Sequence, residues 1–574
     1  MTTLMMLAPV GVPLIAALAF ALLGWRPATV WVGAISAVAM LAAAIGTAVE
    51  VHSAGPHSAV AGLLRVDALS AFMLIVIGTV AVVATVSAPA YLRAEVAAGR
   101  TEERVCTQHS VLAQSFLALM ALAVLAANLG LLWVAIEATT IVTAFLVGQR
   151  RGRAAVEAGW KYVVICSTGI ALALLGTFLL NFAAQQASTP AGLDWVDLVA
   201  AAPELDPGVT RIAVLLLIIG FGTKAGLAPL HGWLPDAYSQ APATVTALMS
   251  GVLSAVALYA VLRVKVIADA ALGVDFTRWL LLVMSLASLI LAASIILSQR
   301  DYKRMLAYSS IENMGLLALG AAIGSPLAIA AVLLHILGHG LAKSVLFLTA
   351  GRIMQVTGSS RIDRVRGLAS TEPVLAGVFG CGVLAIIAFP PFSLFASELG
   401  MATAGFGAAG FGTAGFGIAG FGTAGFGTAG FGTADFAGGL GWATAAALIL
   451  VLVFAAAMVG HTSRMLLGEG EPDPITGDQD TASQAAAAPD AGATVAKDGT
   501  GISAAEPGLS LSTVAFVPAP RDPAGPGPAR RSRPGADSYV WIGALIVCAV
   551  LGITLGPLAP LLSQATAIVT GAAP

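Results

Sequence analysis

The chain has 574 residues, 58% of them hydrophobic and only 10% charged, with a formal net charge of −2 and a mean hydropathy of +0.92. A soluble domain carries roughly 25% charged residues, so the composition excludes a soluble globular protein and predicts an all-α integral membrane protein seated in a lipid bilayer. Near-balanced charge gives no ground for nucleic-acid binding.

A span needs about 20 mainly apolar residues. On that count fourteen are predicted, near 3–24, 28–50, 66–91, 108–127, 129–147, 160–184, 210–230, 241–263, 277–298, 305–323, 326–350, 373–398, 441–466 and 538–562. The stretch before Arg26 lacks a basic n-region, so it reads as a retained first span rather than a cleaved signal peptide. Alternate loops collect the basic residues: Arg26; Arg93, Arg100 and Arg104; Arg150, Arg151, Arg153 and Lys161; Arg300, Lys303 and Arg304; Arg352, Arg361, Arg364 and Arg366. Such loops face the cytoplasm, and an even number of spans then puts both termini outside. Arg263, Lys265 and Arg278 break the pattern on the opposite side.

Two stretches are of low complexity. From Gly405 to Phe436 a GFGTA unit repeats, too glycine-rich for a stable helix, and is expected to form a flexible outer loop. Residues 467–537 are rich in Ala, Pro, Asp and Gly and are expected to be a disordered cytoplasmic loop. The four cysteines, Cys106, Cys166, Cys381 and Cys548, are far apart. Neither a disulfide framework nor a metal site is predicted, and no cofactor is expected in this chain.

Ionisable groups inside a span cost about 2.5 to 3.5 kcal/mol on insertion scales and mark function by default. In LLHILGHGLAKSVLFLTAG, Leu333 to Gly351, residues His335, His339 and Lys343 recur every fourth position and so share one helical stripe. Histidine takes and gives protons near neutral pH, which suits a proton relay; hydrogen bonds that merely tie neighbouring helices are the competing reading. Glu137 lies inside the fifth span and Lys224 inside the seventh, where Gly222, Gly226 and Pro229 predict a broken helix lining a cavity. Glu137 is expected to pair with Lys224. Glu398 ends the twelfth span, either as a second carboxylate terminal or as a solvated residue at the membrane edge.

The run GTKAGLAPLHGWLPDAYSQAPATVTALMSGVL, Gly222 to Leu253, resembles the antiporter-like, proton-translocating membrane subunits of respiratory complex I, Mrp-type antiporters and membrane-bound hydrogenases. QRDYKRMLAYSSIENMG (Gln299 to Gly315), the histidine stripe and FPPFSLFASELG (Phe389 to Gly400) strengthen the resemblance, most of all to the hydrogenase-4 and formate hydrogenlyase branch. It implies three leading spans (1–107) and two inverted five-helix repeats, spans 4–8 (108–263) and 9–13 (277–466), each with a broken helix. A last span occupies 538–574. It also implies relay roles for Glu137, Lys224, His335, His339, Lys343 and Glu398. Where many members carry a lysine in the eighth span, Ala255 stands here, so water held by Ser250, Ser254 and Tyr259 would have to bridge the gap.

The implied function is proton translocation within a multi-subunit oxidoreductase of the hydrogenase-4 or NADH-quinone type, in a prokaryotic plasma membrane. The partners would be other membrane subunits and peripheral NiFe-hydrogenase-like and iron–sulfur subunits, and the ion H⁺ or Na⁺. A subunit of a stand-alone Mrp-type antiporter and a transport-inactive structural subunit are the alternatives.

Overall fold

A computed structural model describes residues 2–150, 152–188, 190–407, 440–468 and 536–572. The chain begins with α1 (Thr2–Leu23) and α2 (Val32–Ala54), followed by a short antiparallel hairpin, β1 (His57–Ala59) on β2 (Leu64–Val66), that pairs His57 with Val66. Helices α3 (Ala68–Ala97), α4 (Glu103–Leu125), α5 (Leu129–Val147), α6 (Arg153–Gln185), α7 (Trp195–Ala201) and α8 (Pro207–Ala225) follow. Then come α9 (Trp233–Gln240), α10 (Ala243–Leu248), α11 (Ser254–Leu272), α12 (Val274–Ile296), α13 (Tyr302–Ile323) and α14 (Pro326–Thr357). The remainder is α15 (Leu368–Thr371), α16 (Pro373–Ile386), α17 (Ser393–Gly407), α18 (Leu440–Leu467), α19 (Ala536–Ile553) and α20 (Ala559–Val569).

Local chemistry explains the helix starts. Asp67, Asn128, Asp206 and Ser325 each accept the amide three residues on, at α3, α5, α8 and α14, which satisfies one of the orphan donors of a first turn. Pro207 and Pro326 follow two of these caps, where a missing N–H costs nothing.

Among the described residues twelve helices are long and apolar enough to cross a membrane. A thirteenth span results if the pair 537–553 and 556–569, bent by 63°, counts as one. Two of the predicted spans are each made of two helices. Residues 373–398 are not one helix: α16 stops at Ile386, the chain passes through Ala388 at φ 55°, and α17 starts at Ser393. The last span, predicted at 538–562, is kinked between Ile553 and Gly556. The expected outer loop beyond Gly407 and nearly all of the 467–537 loop lie outside the described residues.

The break expected in the seventh span is present. Helix α8 ends at Ala225, Gly226 adopts φ 92°, and the chain resumes as the short α9. Helix α10 runs into α11 through a π-helical turn at Met249–Leu253.

Helices α13 and α14 and the α10–α11 rod are buried on every side over their apolar stretch, which is why they show no amphipathic stripe. Outer helices expose Leu18, Ile35, Phe178, Val283 and Leu452, the surface a bilayer covers. Helices α6 and α8 approach closely through glycines: a Cβ on Gly220 would stand 2.5 Å from the Gly169 carbonyl oxygen and 2.7 Å from the Ala173 nitrogen. Small residues permit this backbone approach, one turn before Lys224 on α8.

Candidate functional site: a buried polar path

The first half of the path lies where α5, α6 and α8 meet. Lys224 is fully buried, and its ammonium donates to Thr140 Oγ1 at 2.6 Å and to the Tyr162 hydroxyl at 2.8 Å. Thr140 in turn donates to Glu137 Oε2 at 3.1 Å, while Ser167 reaches the other carboxylate oxygen at 3.4 Å. The expected Glu137–Lys224 ion pair is therefore corrected: among the described residues no carboxylate lies within 4.0 Å of Lys224. One turn of α5 separates Glu137 from Thr140, and the threonine hydroxyl stands between the two charges.

The second half is built by α13, α14 and α17. The stripe His335, His339 and Lys343 is fully buried. Lys343 donates to the Leu306 carbonyl oxygen at 2.6 Å and to the Ser309 hydroxyl. Asn313 donates from Nδ2 to the Ser309 carbonyl oxygen (2.7 Å) and to Glu312 Oε2 (2.5 Å). That fixes the amide, so its Oδ1 is the atom facing His335 Nε2 at 2.8 Å, and Nε2 carries a proton.

On the other side of the ring, His335 Nδ1 lies 2.9 Å from Ser397 Oγ, a hydroxyl that is also 2.8 Å from the Leu394 carbonyl oxygen. A hydroxyl has one hydrogen and rotates freely. When it points at Nδ1 it serves the neutral ring; when it points at Leu394 it leaves a lone pair for Nδ1–H of the charged ring. Both protonation states of His335 are hydrogen-bonded at both nitrogens. His339 stacks 6.4 Å from His335, and neither of its ring nitrogens has a partner among the described residues.

Glu398 is the sixth residue of α17. It is partly buried, and it lies within Coulomb range of the buried Glu312, as does Lys343. It thus follows the break in the twelfth segment rather than ending a span at the membrane edge, which corrects that expectation.

Between the halves stands an aromatic run. Tyr162 packs edge-on to Trp233 (centroids 5.1 Å), Trp233 to Tyr238 (5.9 Å) and Tyr238 to Phe347 (5.6 Å), and Lys343 lies 5.8 Å above Phe347. Ala255 is buried on α11 in this region; its neighbour Ser254 bonds the Tyr238 hydroxyl at 3.1 Å. Among the described residues Ser250 reaches only the Ala247 carbonyl oxygen, at 3.4 Å. Tyr259 belongs to a different cluster. It donates to the Val124 carbonyl oxygen at 3.0 Å and accepts from Arg263 at 3.0 Å, and Arg263 is ion-paired with Asp67 at 2.6 Å. The three residues expected to hold water around Ala255 are not brought together by direct contacts.

Sequence reasoning missed Thr140, Tyr162, Ser309, Glu312, Asn313 and Ser397. Glu312 and Asn313 carried a signal, being polar in an otherwise apolar span by the same rule that selected Glu137. The hydroxyls carried none.

Helices long enough to span a bilayer, with Lys224, Glu312, His335, His339 and Lys343 buried among them, define a multi-pass integral membrane protein with ionisable groups in its interior. The chain belongs to the family described as NADH:quinone oxidoreductase/Mrp antiporter, TM, which matches residues 126–421. It is 38% identical over 335 residues to the hydrogenase-4 component F homolog of Methylacidiphilum infernorum, covering 58% of this chain and 70% of that protein. It is 36% identical over 260 residues to NADH-quinone oxidoreductase subunit N of Desulforudis audaxviator, covering 44% of this chain and 51% of that one. Among solved structures, a chain of the Mrp complex from Dietzia sp. superposes with a TM-score of 0.73 at 21% identity, covering 99% of this chain and 97% of the other. A chain of respiratory complex I from Thermus thermophilus gives 0.67 at 19%, covering 99% and 100%. These two likenesses establish a shared fold.

Proposed function

We propose that this chain is the proton-translocating membrane subunit of a multi-subunit oxidoreductase resembling hydrogenase-4 or NADH-quinone oxidoreductase. In this reading the redox cofactors sit in NiFe-hydrogenase-like and iron–sulfur partner subunits, and this chain binds none. The observation that carries the proposal is the His335 site, whose Asn313 and Ser397 partners suit both the neutral and the charged ring. A purely structural histidine needs one set of partners; a relay needs two. The hydroxyl between Glu137 and Lys224 supports the same role in the first half, Glu137, Thr140, Lys224 and Tyr162 forming one terminal.

The second terminal comprises His335, His339, Lys343, Glu312 and Glu398. We take the two halves to be inverted repeats, the basic loops to face the cytoplasm of a prokaryotic cell, and both termini to lie outside. At Ala255 the adjacent Ser254, bonded to the Tyr238 hydroxyl, supplies hydroxyls for a water-assisted crossing. Lys224→Ala should abolish redox-driven proton uptake in inverted membrane vesicles while the complex still assembles. Uptake at the wild-type rate would overturn the proposal. Co-purification of hydrogenase-like and iron–sulfur subunits, identified by mass spectrometry after mild detergent extraction, tests the partners.

A further inference from the structure

At the ends of α12 and α18, away from the polar path, a cavity of about 400 Å³ is lined by Gln299, Arg300, Asp363, Arg366, His461 and Arg464, and its wall is completed by Ile362 and Gly468. The one carboxylate among the described residues that line it, Asp363, is held by Arg361 at 2.8 Å. Arg366 donates to the Asp363 carbonyl oxygen at 3.1 Å, and His461 Nε2 meets the Ile296 carbonyl oxygen at 3.0 Å. Arg300 and Arg464 have no carboxylate within 4.0 Å among the described residues. The cavity is therefore lined by three arginines, two of them without a counter-charge among the described residues. Guanidinium forks match the oxygens of a phosphate, with two parallel hydrogen bonds each.

The surface next to the cavity is apolar. Leu297, two residues before Gln299, is 61% exposed, and Leu467, beside Gly468, is 72% exposed. Farther along the same two helices, which pack against each other, Val283 and Ile290 on α12 and Leu452 and Val459 on α18 are also uncovered. From Leu452 to Leu467 the helix runs about 22 Å at 1.5 Å per residue, longer than the roughly 15 Å of hydrocarbon in one leaflet. A soluble anion needs only the arginines, and an acidic protein segment would leave the apolar flank unused. A phosphate head carrying two acyl chains uses both features.

We propose that this cavity is a binding site for an anionic phospholipid, whose phosphate is held by Arg300, Arg366 and Arg464 and whose acyl chains lie along α12 and α18. Basic pockets between membrane helices recognise such head groups by this combination.

The test is native mass spectrometry of the full-length chain, purified in a non-ionic detergent and titrated with phosphatidylglycerol or phosphatidylcholine. Phosphatidylglycerol should be retained in preference. The double variant Arg300→Gln/Arg464→Gln should weaken that retention on the order of 30-fold, because each arginine facing an anionic lipid contributes a factor of about five. Arg300→Lys/Arg464→Lys should retain more of it than the glutamine pair, and the exposed control pair Arg93→Gln/Arg104→Gln should change nothing. Equal retention of the two lipids, displacement of phosphatidylglycerol by millimolar inorganic phosphate, or unchanged binding in the glutamine pair would each overturn the proposal. Displacement by phosphate would identify a free-anion site, and displacement of the lipid by a co-purifying acidic protein would identify a subunit interface in its place.

Discussion

Thr140→Val isolates one hydroxyl. Valine keeps the branched shape of threonine and removes only the oxygen that accepts from Lys224 at 2.6 Å and donates to Glu137 at 3.1 Å. Lys224 keeps the Tyr162 hydroxyl at 2.8 Å, so the lysine is not stranded and the helices have no reason to part. A hydrogen bond to a charged group contributes about 1.5 to 3 kcal/mol, and losing it from the transfer step slows proton passage by roughly 10- to 150-fold. The assay is redox-driven quenching of a pH-sensitive dye in inverted vesicles, normalised to the amount of chain in the membrane. Thr140→Ser should restore most of the rate, since it returns the oxygen without the methyl. If Thr140 carries the link between Glu137 and Lys224, the Glu137→Gln/Thr140→Val double variant should be no slower than the worse single one, because members of one network are not additive. Uptake by Thr140→Val within twofold of wild type would refute the reasoning.

Ser397→Ala leaves the neutral His335 bonded to Asn313 but removes the second partner of the charged ring. An unpaired buried donor costs about 1 to 3 kcal/mol, so uptake should fall five-fold or more while the melting temperature in detergent stays within a few degrees. Asp67→Asn leaves Arg263 without its counter-charge inside the protein, a defect of about 3 to 5 kcal/mol, read as lowered thermal stability and reduced folded yield. Burial pushes the Asp67 carboxyl up, but Arg263 and the Ser70 amide outweigh burial and hold it below its usual 3.8. The pair therefore stabilises the fold at every pH above that value and loses its contribution only as pH falls further. The gap in melting temperature between wild type and Asp67→Asn should be constant from pH 7 to about 5. Gly220→Ala should prevent α6 and α8 from closing and abolish the monodisperse peak in size-exclusion chromatography, whereas Gly11→Ala, whose Cβ meets no atom within 4 Å, should not.

Hydrophobicity accumulates over about 20 neighbouring residues, so the spans were legible in the sequence. An ionisable group among them is so costly that it stands out, and Glu137, Lys224, His335, His339 and Lys343 are visible for that reason. The break at Gly226 was legible too, because glycine and proline act on the local backbone. Hydroxyls and amides carry no such penalty. Thr140 and Ser397 read like any other helix residues until packing turns them toward a lysine 84 positions away or a histidine 62 positions away. That rotation is set by close approaches such as Gly220 on Gly169, which no single span encodes. The same packing put a threonine where an ion pair was expected, and moved Glu398 from the end of a predicted span into the first turns of a separate helix. Which residues are buried in the membrane follows from each segment alone; which of them meet was decided by helix rotation and depth, properties of the assembled bundle.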